Sequence, residues 1–445
     1  MATIAAGADK AALGSGGSGA APAARRIEAL DFVRGVALCG ILLMNITGIG
    51  LPDGYVNPMN SGGATGANLW AWIITEVGFE GTQRALFSML FGASVILLTS
   101  RLEAAGQPDA ADIYFRRNLW LIGFGLVNGF IFLWEGDILY AYGVTALFLF
   151  PFRKLPAKHL LALGLLVLLL ATAWTGSETR DTLSKHQPYL DAVAVRNHGG
   201  PVTEAQQSAI DAWEEARGAF KSSRAEVQEA VDAHRGGYAS AFEHNLPGVT
   251  WWQSRGIYRY FFDLFGMMLI GMGLFRLGVL TLDRPARLYW GMLVLGYGIG
   301  VAVNVTETRW IIDHGFSAVS FAQAHISYDL GRLAMTVGHL GALLLFVRSG
   351  ALGWLRRAFA AVGQMAVTNY LTHSVVCGFL FIGLKWYNTL ERHELYYVVF
   401  AIWAAQLAIS PLWLKYYRFG PVEWLWRTLT YVKRQPMRRA AAAEG

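Results

Sequence analysis

The run Leu30-Asp31-Phe32-Val33-Arg34-Gly35-Val36-Ala37-Leu38-Cys39-Gly40-Ile41-Leu42-Leu43-Met44-Asn45-Ile46 constrains this chain more than any other segment. It is apolar over the length of a membrane helix, yet it opens on an Asp and an Arg three residues apart. Charges at a bilayer boundary are costly and tend to be paired or functional. At i, i+3 these two share a helix face and neutralise each other. A plain anchor needs neither, so the run reads as the first helix of a working membrane protein.

Other runs reach the roughly 18–20 residues that cross a bilayer. Ten spans are expected, over 30–50, 84–100, 117–134, 137–152, 159–174, 257–280, 287–305, 327–347, 359–384 and 394–415, with a partial helix at 69–80. The fold class is therefore all-α, a polytopic membrane helix bundle carrying one polar helical insert. Only 15% of residues are charged, against about 25% in soluble domains. The net charge of +6 reflects Lys and Arg gathered in alternate loops, which places both termini in the cytoplasm. No basic stripe interleaved with aromatics points to nucleic acid; the partner expected is the lipid bilayer. Cys39 and Cys377 lie in apolar runs and read as core residues, with no disulfide framework and no metal spacing.

The organisation expected is a disordered cytoplasmic tail at 1–24, a five-span half at 25–174, an extracytoplasmic helical insert at 175–256, a second five-span half at 257–420 and a basic cytoplasmic tail at 421–445. In the insert, Thr203 with Gln206 reads as a capping box, and Ile210, Trp213, Phe220, Val227 and Val231 form an apolar stripe. The stripe suits a cap lying on the bundle; a lid over an outward-facing site is the sharper alternative.

Polar residues within the spans carry the functional reading, because membrane helices hold ionisable groups where they face a cavity or a partner. Towards the outer side stand Glu80 with Arg84, Asp137, Arg259 with Asp263, and Asp329 with Arg332. Deeper lie Asn45, Asn128, His339, Asn369 and His373. Asp329, Arg332, Thr336 and His339 recur at 3, 4 and 3 residues, one stripe of a helix. A neutral imidazole at mid-membrane can serve as a general base or simply bridge helices. Asp137 also suits a helix N-terminus. Arg116 and Arg117 fit the positive-inside pattern, and their guanidinium forks also fit phosphate.

With these residues set out, the chain resembles the YeiB-like family of bacterial inner-membrane proteins, a domain class of unknown function. The resemblance rests on Leu30, Asp31, Arg34, Gly35, Ala37, Gly40, Ile41 and Asn45; on Phe79-Glu80 with Ala85 to Gly92; on Arg116-Arg117 and Gly136-Asp137-Ile138-Leu139 with Tyr142; and on Gly363 to Leu371, Ser374 and Gly420 to Arg427. The chain departs from the family in having Asn128 where His is usual and His373 where Gln is usual. The first-span motif is also remotely similar to that of transmembrane acyltransferases of the acyltransferase-3 and heparan-α-glucosaminide N-acetyltransferase types.

That second resemblance implies an O-acyltransferase taking an acyl group from cytoplasmic acyl-CoA to an extracytoplasmic glycan or lipid hydroxyl, without a metal. On this expectation His339 is the first base, with His373, Glu80 and Asp137 the other catalytic candidates. Asp31, Arg34, Arg116 and Arg117 meet the donor, and Asn45, Arg84, Asp263, Asp329, Arg332 and Asn369 line the substrate path. The same groups also suit a transporter or flippase of a small anionic solute or lipid, or a scaffold in which they merely join helices.

Overall fold

A computed structural model describes residues 20–55, 57–218 and 220–439, with side chains from Glu28 onward. The described residues are helical throughout apart from turns and one isolated bridge, Tyr417 to Arg438. The helices are α1 (Ala20–Gly50), α2 (Gly66–Gly78), α3 (Thr82–Ala104), α4 (Ala110–Phe130), α5 (Leu139–Leu147), α6 (Ala157–Ser184), α7 (His186–Asn197), α8 (Glu204–Gly218), α9 (Arg224–Arg235) and α10 (Tyr238–Trp251). They continue as α11 (Ile257–Arg276), α12 (Ala286–Asp313), α13 (Ala318–Ala324), α14 (Tyr328–Ser349), α15 (Gly353–Gln364), α16 (Ala366–Gly378), α17 (Arg392–Tyr416) and α18 (Pro421–Tyr431).

Eight helical stretches are long and apolar enough to cross a membrane. Outward-facing Leu165, Leu166, Leu169 and Leu170 on α6, and Val294, Leu295 and Ile299 on α12, are exposed. Apolar faces of that extent need lipid rather than water against them. The chain is thus a multi-pass membrane bundle. The expected third and fourth spans are not among the eight. They form α4 and the nine-residue α5, which rises only about 13 Å against a hydrocarbon core of about 30 Å. The expected span at 359–384 is broken at Gln364–Met365 into α15 and α16. Of the expected tail 1–24, residues 1–19 lie outside the described residues, and Ala20 already begins α1.

Two features of the packing set up the interior. Helices α3 and α11 cross backbone to backbone: a Cβ on Gly92 would stand 2.0 Å from the Met268 carbonyl, and one on Gly271 1.9 Å from that of Met89. The break between α2 and α3 falls at Gly81, whose φ of +65° suits glycine and whose missing side chain leaves room for Arg332. That break turns Glu80 and Arg84 into the bundle.

The basic loops gather at one end. Arg153 pairs with Glu103 at 3.0 Å, Arg356 with Glu28 at 3.0 Å, and Arg348 donates to the Arg284 carbonyl at 2.9 Å. At the other end, helices α7 to α10 lie on the bundle. Arg235 donates to the Tyr387 carbonyl at 3.0 Å, Asn57 to that of Phe220 at 3.0 Å, and Phe220 stacks on Phe321. The Thr203–Gln206 capping box is present, with a second at Ser223–Glu226. Ile210, Trp213 and Val231 of the expected stripe are buried.

Candidate functional site

At the basic end, Arg34 binds Asp31 at 2.7 Å and reaches the Gly363 carbonyl and Ser94 hydroxyl at 3.4 Å. Arg117 lies flat on the Trp426 ring, 3.7 Å from its centroid, while the Trp426 indole N–H donates to the Arg117 carbonyl at 2.7 Å. The positive charges of Arg34 and Arg427 both act on Arg117. Arg427 stands 4.4 Å from the Phe419 ring centroid, and its buried Nε has no hydrogen-bond partner among the described residues. Arg116 turns away, to Asp112 and the Thr430 carbonyl. Arg34 and Arg427 thus stand within electrostatic reach of Arg117, as does the Glu423 carboxylate, while Arg116 is set aside. Arg427 was not foreseen as a site residue because its place after the last long span reads simply as positive-inside. Guanidiniums on aromatic platforms suit phosphate or carboxylate.

Of the expected outer constellation, Glu80, Arg84, Asp263, Asp329 and Arg332 form one network. Arg332, 3% exposed, binds Asp263 at 2.6 Å and Asp329 at 2.8 Å. Arg84 faces the other Asp263 oxygen at 3.6 Å and lies over the Tyr260 ring. Thr172 donates to Asp329 at 2.7 Å. Glu80 accepts from the hydroxyls of Tyr55 at 3.0 Å and Tyr328 at 3.1 Å. Burial and the Glu80 charge together push the Tyr55 hydroxyl far above its ordinary range, so it stays a donor. Arg259 pairs instead with Glu178.

His339 and His373 are not brought together. His339 Nε2 lies 2.7 Å from the Gly78 carbonyl and Nδ1 2.9 Å from the Tyr297 hydroxyl. A carbonyl only accepts, so Nε2 carries the hydrogen and Nδ1 receives that of Tyr297. Both nitrogens are thus used to hold the α2–α3 break. His373 Nε2 meets Gln406 at 3.1 Å, and Gln406 in turn donates to the Asn369 carbonyl at 3.0 Å. The Asn369 amide spans to the Val362 carbonyl and Ser410. Asp137 accepts from Asn128 and from the Tyr140 backbone N–H, both at 2.8 Å, and so caps α5. Asn45 is half-buried on α1, one turn below Gly48 and Ile49, with no hydrogen-bond partner among the described residues.

Gly48 and Ile49 line a cavity of ≈ 380 Å³ between the bundle and the insert, inside the range of about 300–1,000 Å³ typical of small-molecule sites. Its floor includes Ser374, Cys377 and Phe381; its roof is α9 and α10, with His234, His244 and Asn245. The insert is thus the wall of a cavity as well as a cap. His234 is 7% exposed, stacks on Tyr387 at 3.9 Å and bonds the Ala230 carbonyl through Nδ1 at 2.8 Å. Nδ1 must therefore carry the hydrogen, which leaves the lone pair on Nε2. Burial holds this imidazole below its ordinary pKa and so neutral. Glu135 is half-buried in the wall; burial and the Asp53 charge raise its pKa to about 7. Neither residue was foreseen. Both sit outside the spans, where polar residues read as ordinary surface, and only the folding of the insert onto the bundle makes them a lining.

The architecture and these polar ends define a multi-pass helical membrane protein with a three-arginine cluster at one end and a cavity at the other. Residues 274–433 match the family described as "Protein of unknown function (DUF418)". The chain is 31% identical to the uncharacterized protein YeiB of Escherichia coli over 90% of this chain and 95% of that one. It is 27% identical to the uncharacterized protein YxaH of Bacillus subtilis over 93% and 96%, and 24% identical to a 39.9 kDa protein of Bacillus acidopullulyticus over 93% and 96%. The chain belongs to this YeiB-like DUF418 family. No solved structure matches it.

Proposed function

We propose that the protein is a transmembrane O-acyltransferase of the bacterial inner membrane, with both termini in the cytoplasm. It would take an acyl group from acyl-CoA at the arginine end and pass it to a hydroxyl of an envelope glycan or lipid held beneath the insert. One observation carries this reading: helix α1 has Arg34 of an anion-suited cluster near one end and Gly48 and Ile49 of the cavity near the other. Arg34, Arg117 and Arg427 would meet the phosphates of the donor. His234 Nε2, the free imidazole nitrogen in the cavity lining, would take the proton of the attacking hydroxyl as it adds to the thioester carbonyl. The carbonyl then reforms, expelling the CoA thiolate. His339 and His373 would hold helices in place, since their bonds to Gly78, Tyr297 and Gln406 already engage them.

The test is label transfer from labelled acetyl-CoA to envelope material in inverted membrane vesicles. Wild type should label, and Arg117→Ala and His234→Gln should not. A folded wild type that labels nothing with acetyl or longer acyl donors would overturn the reading.

The buried network of Arg84, Asp263, Arg332 and Asp329 favours a second reading, a transporter or flippase of a small anionic solute or lipid. Substrate flux in liposomes without acyl-CoA, abolished by Arg332→Gln, would support it instead.

A further inference from the structure

The cavity beneath the insert has a charge pattern that says what it accommodates. Asp53, Glu135, Glu226 and Glu229 all line it, and no Lys or Arg does. Glu135 makes no hydrogen bond or ion pair among the described residues. The charge that acts on it is that of Asp53, of the same sign, and both carboxylates act on the Tyr387 hydroxyl. A half-buried carboxylate beside a second one, without a cation, is an incomplete arrangement. The carboxylates line the cavity rather than converge: among the described residues no three His, Cys, Asp or Glu are placed to hold a metal ion.

A second observation is independent of the acids. Ser374 is 4% exposed, lines the floor, and its hydroxyl has no hydrogen-bond partner among the described residues. On a residue so nearly buried, a hydroxyl left without a protein partner is available to whatever occupies the cavity. Trp134 and Tyr387 also line the cavity, the Tyr387 ring with one face covered by His234.

We infer that this cavity binds a small organic ammonium that also carries hydroxyl groups, with the ammonium between Glu135 and Asp53 and a hydroxyl towards Ser374 and His234. The inference rests on the reading of the cavity as the acceptor site and names the acceptor's chemistry. A hydroxyl directed at His234 Nε2 is the one that would lose its proton, while the ammonium anchors the molecule without reacting. An ammonium of this kind belongs either to a free amino alcohol or amino sugar, or to a lipid headgroup.

The test is calorimetric binding to the full-length protein in phosphatidylglycerol nanodiscs, using 2-aminoethanol and its uncharged counterpart ethylene glycol. Binding of the amine and not the glycol is expected, weakened by about tenfold or more in Glu135→Gln and in Asp53→Asn. Asp53 is exposed, so Asp53→Asn keeps the test open should Glu135→Gln fail to fold. Equal binding of both probes, no amine binding by wild type, amine binding unchanged in both variants, or binding of Ca²⁺ alone would each overturn it. Repeating the titration in phosphatidylethanolamine nanodiscs assigns the source. Loss of the amine signal there means the headgroup fills the site, and retention means the ligand is soluble. A protein that binds the amine yet transfers no acyl group keeps this inference and removes the acyltransferase reading.

Discussion

Glu423 accepts the backbone N–H of Thr368 at 3.0 Å, so the segment after the last long helix caps a helix that begins 57 residues earlier. The same carboxylate accepts from the Val367 N–H at 2.7 Å and the Thr368 hydroxyl. These are first-turn amides of α16, left without partners by the break at Gln364–Met365. Two sequence blocks that are far apart, Gly363 to Leu371 and Gly420 to Arg427, are thereby one structural unit. Glu423→Ala should lower stability by about 1–2 kcal/mol, as loss of a cap does. Glu423→Gln, which keeps one acceptor oxygen, should cost less. Thermal unfolding in detergent measures both, and equal stability of all three proteins would refute the capping role.

Arg332 offers a larger effect. Its guanidinium is the cation shared by Asp263 and Asp329, and removing one member of a buried set leaves the others uncompensated, at about 3–5 kcal/mol. Arg332→Gln should therefore unfold at a markedly lower temperature. Adding Asp263→Asn should recover part of the loss, because it removes a carboxylate that has lost its main cation. A double variant no more stable than the single one would mean the network is not coupled.

Glu135 gives a pH signature. Its pKa is raised from 4.5 to about 7 in the folded protein, so between these values the folded chain holds a proton that the unfolded chain has released. Stability from this group is fully present below pH 4.5 and is lost as pH rises through 7. His234 runs the other way: its lowered pKa makes the folded state gain stability as pH rises towards 6.5. Unfolding temperatures of wild type and Glu135→Gln, measured from pH 4.5 to 8, separate the two. The wild type's advantage should shrink across that window by about 1–3 kcal/mol. A constant difference would show that Glu135 does not titrate there.

Much of the bundle can be read from run length alone, since few structures other than a helix satisfy the backbone of apolar stretches in lipid. The fourth expected span, 137–152, reads in the sequence as short and dependent on its neighbour for depth; it folds as a nine-residue α-helix capped by Asp137 and a 3-10 turn at Phe150–Lys154. Arg116 and Arg117 were legible as phosphate-suited and Arg34 as a charge paired with Asp31, but not that Arg34 and Arg117 share one end while Arg116 turns to Asp112. Arg427 was masked by the same positive-inside pattern that located Arg116 and Arg117. Glu135 and His234 were not legible, because which surface of the insert meets the bundle is decided by contacts such as Arg235 to Tyr387, which no local pattern encodes.

The stripe through Asp329, Arg332 and His339 was legible as a stripe, but its purpose was not. Periodicity says which side chains share a face, and it does not reveal that the partner of His339 is the backbone carbonyl of Gly78 across the bundle. With both ring nitrogens engaged, His339 should act on stability before chemistry. His339→Ala should lower stability by about 1–3 kcal/mol through the unpaired Gly78 carbonyl and Tyr297 hydroxyl. Tyr297→Phe, which removes only one partner, should cost less. The label-transfer assay, scored per folded molecule, should find Tyr297→Phe at the wild-type level and His339→Gln well above His234→Gln. A His339→Gln protein as stable as wild type yet inactive would restore His339 as the base and displace His234.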